Sequence, residues 1–113
     1  MELIDQLLSI RGVFAAGNFD AEGHLNDFKT NPGFDLDAAV AANIAKQCAV
    51  AHRAMNGLGA GLSEASGLPW EPGIGWVYSG GEYSVAVSNG FGVFVQTMHC
   101  DFNDLFNAMV GAR

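Results

Sequence analysis

Basic residues are scarce in this chain. Lys and Arg number 5 against 12 Asp and Glu, the formal net charge is −7, and no basic cluster occurs. Nucleic acid and anionic membrane surfaces are therefore poor partners, because both are gripped through grouped positive charge. No run approaches the roughly 18 apolar residues of a membrane span, which predicts a soluble chain without membrane insertion. Cysteine is limited to Cys48 and Cys100, without CxxC spacing, and the amino-terminal MELIDQLLSIRG carries acids where a secretion signal needs bases. Both features predict a reducing cytoplasm. GxSxG, HExxH and GxxxxGKS or GxxxxGKT are all absent. The glycine-rich SGGEYS and SNGF read as antiparallel hairpins that lead into no helix, so they are not phosphate loops, and no cofactor is implied.

Apolar residues, by contrast, are plentiful. Half of the 113 residues are hydrophobic and only 15% are charged. One domain over 1–113 is long enough to bury a core without disulfides, and the apolar excess predicts self-association. No repeat, linker or low-complexity tract interrupts it.

Leu3, Ile4, Leu7 and Leu8 recur on one helical face, so residues 2–10 read as a short helix ended near Gly12. GVFAAGNF follows as a strand apolar on both faces, and Asp20-Ala-Glu-Gly23 turns into a second strand, HLNDFK. His24, Asn26 and Phe28 alternate there with Leu25, Asp27 and Lys29; polar residues on both faces predict a sheet edge. Asp35 or Asp37 then caps a long helix over 35–62. Its apolar stripe is Val40, Ile44, Cys48, Ala51, Met55, Leu58 and Leu62. Gly57, Gly59 and Gly61 weaken its end, and the 57–67 stretch reads as a flexible joint.

From Trp70 the period changes to two. Trp70, Ile74, Trp76 and Tyr78 alternate with Glu71, Val77 and Ser79, and Pro72 places this strand at an edge. Gly80-Gly81 and Asn89-Gly90 mark hairpins, giving a meander over 70–79, 82–88 and 92–98, the last apolar on both faces and therefore central. Asp101 caps a closing helix with Phe102, Leu105, Phe106 and Met109 inward. The order αββαβββα with two edges assigned predicts an α+β (α/β-layered) sandwich, a five-stranded antiparallel sheet in spatial order 2-1-5-4-3 with helices on both faces.

The opening LLSIRGVFAAGNFDAEGHL, the Ala-rich middle helix and the meander YSGGEYSVAVSNGFGVFV resemble the roadblock-type superfamily of dynein light chains and bacterial small-GTPase regulators, with its roadblock/profilin-like sandwich. More narrowly, LPWEPGIGW, SGGEYSV and GVFVQ are similar to a small bacterial family of single roadblock-like domains. The resemblance implies a homodimer with the long helices packed together and the third strands joined across the two subunits. It also implies action by binding, as a scaffold or by positioning a small GTPase.

Four constellations carry candidate chemistry. Asn18, Asp20, Glu22 and Gly23 occupy the first positions of a calcium loop, but Lys29 stands where a bidentate Glu is needed, so the stretch reads as a turn. Cys48 and His52, one helical turn apart, would make a Cys2His2 metal site only if two copies met there; the plain alternative is a buried thiol and a hydrogen-bonded imidazole. Cys100 beside His99 and the Asp101 cap is a candidate reactive thiol, against the plain reading of a core-facing cysteine. Trp70, Trp76 and Tyr78 read as core or dimer contact.

The expected function is a non-enzymatic homodimeric scaffold or regulator that binds protein partners. Val40, Ala41, Ile44, Cys48, Ala51 and Met55 would meet across the seam, together with Ile74, Trp76 and Tyr78. The alternatives are a small-GTPase regulator, with the GTPase or a larger assembly as partner, and a small-ligand or thiol-redox accessory module.

Overall fold

The computed structural model describes residues 3–70 and 74–111. Its elements are α1 (Leu3–Leu8), β1 (Val13–Phe19), β2 (Leu25–Thr30), α2 (Ala38–Ser66), β3 (Gly75–Ser79), β4 (Tyr83–Ser88), β5 (Phe91–Gln96), a 3-10 turn (Thr97–His99) and α3 (Phe102–Val110). The strands form one antiparallel sheet in the order β2-β1-β5-β4-β3. Both edges and the central β5 are those expected from the polar faces of β2 and the apolar faces of β5.

Side chains alternate across a pleated strand, so β5 serves two layers at once. Val93 and Val95 enter a core with Ile4 and Leu7 of α1, Ala86 of β4, and Leu105 and Met109 of α3. Gly92 and Phe94 point the other way, into a small apolar cavity of about 40 Å³ shared with Ala41, Ala45 and Cys48 of α2. Helices α1 and α3 thus cover one face and α2 the other. Phe34, in the connection leading to α2, packs edge-on against Phe14 at 4.7 Å between centroids and lies beside Phe94.

The turns follow from backbone chemistry. Asn89 (φ 54°) and Gly90 (φ 79°) both take the left-handed conformation that a tight two-residue hairpin needs. The Asn89 amide also donates to the carbonyl of Met109, tying the hairpin to α3. Gly23 is required twice over: its φ is +86°, and a Cβ there would lie 2.7 Å from Cα of Lys46, because the β1–β2 hairpin rests directly on α2. Asp101 caps α3 as expected, accepting from the amides of Asn103 and Asp104.

Three expectations need correction. Helix α2 does not fray at Gly57–Gly61 and there is no joint over 57–67; the helix runs unbroken for 29 residues to Ser66. At about 1.5 Å per residue its length accounts for the long dimension of the molecule, 45 Å. What ends it is Gly67 in the left-handed conformation, its amide bonded to Ser63 O. Ser63 and Ser66 then accept from the amide and the indole N–H of Trp70, folding the following segment back onto the last turn.

Asp37 does stand at the N-cap of α2, but its carboxylate makes no capping bond. Strand β3 begins at Gly75, leaving Trp70 outside it, and β5 stops at Gln96, with Met98 on the 3-10 turn and 87% exposed. On α2 it is the alanines that face the sheet: Ala41, Ala45, Cys48 and Ala49 are buried, whereas Val40, Met55 and Leu58 are exposed. Small side chains let a helix sit close to a sheet, so the larger apolar residues are left on its flank. The expectations for Glu71 and Pro72 lie outside the described residues.

Candidate functional site

The two sheet edges differ sharply in chemistry. Strand β2 carries Asn26, Asp27 and Lys29, and Lys29 Nζ lies 3.1 Å from a carboxylate oxygen of Asp5. Charge of this kind discourages a second strand from pairing there. Strand β3, GWVYS, has no charged residue, pairs with β4 alone among the described strands, and exposes Val77 and Tyr78, the latter by 67%. Among the described residues nothing guards its free backbone edge.

The exposed flank of α2 adds to this. Val40 is 48% and Leu58 55% exposed, and steps of three, four and seven residues link them through Ile44, Ala51 and Met55. Of the residues expected at a seam, Val40, Met55, Ile74 and Tyr78 stand exposed, and Ile44, Ala51 and Trp76 are half-buried. Ala41 and Cys48 face the chain's own sheet instead, where they contribute to intramolecular packing.

Cys48 and His52 are separated by their surroundings despite their spacing. Cys48 is 6% exposed, lines the apolar cavity, and burial pushes its thiol pKa up. His52 instead lines a cleft with Asp20, Arg53 and Asn56. Its buried Nδ1 has no hydrogen-bond partner, and the same holds for Nε1 of Trp76.

Cys100 is half-buried after the 3-10 turn. Burial, then the charges of Asp101 and Asp104, push its pKa up, which withholds the thiolate at neutral pH.

The hairpin at Asp20 is held by its own first residue. Asp20 Oδ1 accepts from the amides of Glu22 and His24, and Oδ2 lies 3.0 Å from His24 Nδ1. The hydrogen bond from the His24 amide is the main reason that the Asp20 carboxyl lies below its ordinary value. Asp20, Glu22 and His24 bring one potential ligand atom each within 4.8 Å of one another. Reading this stretch as a calcium loop overlooked His24, which strand alternation alone would have placed beside the turn. Among the described residues no helix is long and apolar enough to cross a membrane.

Comparison with known proteins places this geometry in context. The fold is similar to that of a Roadblock/LC7 domain from Streptomyces avermitilis, with a TM-score of 0.77 at 15% identity over 97% of this chain and 88% of that one. It is also similar to the gliding protein MglB from Thermus thermophilus, with a TM-score of 0.73 at 14% identity over 97% and 84%. A third structure, of MglB with a tetrameric arrangement, matches with a TM-score of 0.76 at 15% identity over 97% and 79%. At such identities the likeness is one of fold, and the fold is roadblock-type. No curated protein matches the chain in sequence. The family described as "Uncharacterized conserved protein (DUF2173)" matches residues 3–110, and the chain belongs to that family.

Proposed function

Taking that family and the roadblock-type fold as premises, we propose that the chain is a non-enzymatic, cytoplasmic homodimeric scaffold or regulator that acts by binding other proteins. The observation that carries this reading is the pairing of an uncharged, unguarded edge strand, β3, with the exposed apolar flank of α2. Edge strands of soluble proteins usually carry charge or cover, as β2 does here, and an apolar edge left bare serves as a pairing surface. Two copies related by a two-fold axis would join β3 to β3 and flank to flank, covering both features in one self-complementary contact. The tetrameric arrangement named for one MglB structure supports self-association as a habit of this fold.

A second reading makes the dimer an organiser or activator of a small GTPase. Its support is the resemblance of LLSIRGVFAAGNFDAEGHL to roadblock-type regulators and the similarity in fold to MglB. The partner's identity separates the two: affinity capture from the native cells, with the bait also tested as Tyr78→Lys, recovers a nucleotide-binding protein only under the second reading. A thiol-redox role for Cys100 and His99 has the weakest support, since the charges of Asp101 and Asp104 oppose ionisation of the thiol. Light scattering across a dilution series tests the shared premise; a single-chain mass throughout removes both leading readings.

A further inference from the structure

The sheet-facing side of α2 changes character halfway along. Ala41, Ala45 and Ala49 are buried on it, and steps of three and four residues continue the same side as His52 and Asn56. These two, with Arg53, line a cleft of about 680 Å³, and the β1–β2 hairpin contributes Asp20 and Glu22 to the same cleft. Val110 and Ile74 are its exposed apolar surfaces. The volume falls in the range of roughly 300–1,000 Å³ that accommodates small organic molecules.

Among the described residues, two groups in the cleft lack partners. His52 Nδ1 is buried without a hydrogen bond, a condition that is unfavourable until something satisfies it. Arg53 makes no ion pair with any described residue. A guanidinium in that state is suited to grip a carboxylate through two parallel hydrogen bonds. A purely anionic ligand, however, would meet Asp20 and Glu22 and a net charge of −7. A purely cationic one would meet Arg53. A molecule carrying both charges, with apolar surface between them, meets neither objection.

We propose that this cleft binds a zwitterion of dipeptide size: its carboxylate on Arg53, Asn56 and His52, its ammonium toward Glu22 and Asp20, and an apolar side chain on Val110 and Ile74. Asp20 can hold its charge in this role because the amides of Glu22 and His24 already stabilise the carboxylate. Arg53 lies about half a turn around α2 from Val40, Ala51 and Leu58. A seam on that flank and β3 would share only Ile74 with the cleft, so substitutions at Arg53 and Glu22 test ligand binding separately from dimerisation.

The test is calorimetric titration of the full chain with L-leucyl-L-leucine, its N-acetyl form and its carboxamide. Saturable binding is expected for the free dipeptide, at least tenfold weaker for either capped form. Arg53→Gln should weaken the free dipeptide at least tenfold and leave the carboxamide unaffected, while Glu22→Gln should do the same with the N-acetyl form as the unaffected probe. Both side chains are exposed, and circular dichroism confirms folding of the variants. Absence of heat with the free dipeptide at millimolar concentration overturns the proposal, as does equal binding of the capped forms or undiminished binding by the folded Arg53→Gln variant.

Discussion

Replacing Leu58 separates stability of the chain from stability of the dimer. The side chain is 55% exposed in the single chain. Full burial of a leucine contributes roughly 1.5–3 kcal/mol, so covering its exposed half is worth about 1 kcal/mol, and a two-fold seam counts it twice. Leu58→Ala therefore removes about 2 kcal/mol from association and raises the dimer dissociation constant roughly thirtyfold. Leu58→Glu adds the desolvation of two carboxylates brought toward each other and leaves single chains at micromolar concentration. Because the position is exposed before association, neither change should alter the stability of the isolated domain by more than about 0.5 kcal/mol. Analytical ultracentrifugation reads the first effect and urea unfolding of the dilute chain reads the second. A Leu58→Glu protein that sediments as the unmodified chain does would show that the flank of α2 is not the seam.

Other expectations follow from single contacts. Gly23→Ala should destabilise the domain by at least about 1–2 kcal/mol from the left-handed backbone alone, with more from the approach to Cα of Lys46 at 2.7 Å; urea midpoints would show it, and an unchanged midpoint would contradict the close seating of the hairpin. Asp101→Ala should cost about 1 kcal/mol through loss of the α3 cap, again by urea unfolding, with Asp101→Asn recovering most of it. The Cys100 thiol should be alkylated with a pH midpoint above the ordinary 9.0, in a Cys48→Ala background. Its raised folded-state value also means that the unfolded chain loses this proton first, so stability is full below that ordinary value and falls as pH rises through it toward the folded value. An alkylation midpoint below neutrality would instead revive a reactive role for this residue.

Most of the sheet was legible because its signals are local. Asn89-Gly90 and Asp20 to Gly23 specify turns by backbone conformation, and Val93 to Gln96 identify a strand with apolar residues on both faces. The full reach of α2 was not, since Gly57, Gly59 and Gly61 each disfavour helix, while what holds its end, Gly67 and the bonds from Trp70 to Ser63 and Ser66, lies beyond them in sequence. Which residues α2 turns to its own sheet was not legible: the stripe through Val40, Ile44 and Met55 marks a contact face without saying what it contacts, and close approach to the sheet selects Ala41, Ala45 and Ala49. The cleft was legible only in part. His52 and Asn56 stand at the spacing that continues the alanine stripe, so their departure from it was visible in sequence, but Asp20 and Glu22 reach them only through the folded hairpin.

The central claim is that β3 and the flank of α2 are covered by a second copy of this chain. Multi-angle light scattering of the unmodified protein at micromolar concentration decides it: a covered seam gives twice the 11.9 kDa chain mass, and a single-chain mass at every concentration would contradict it.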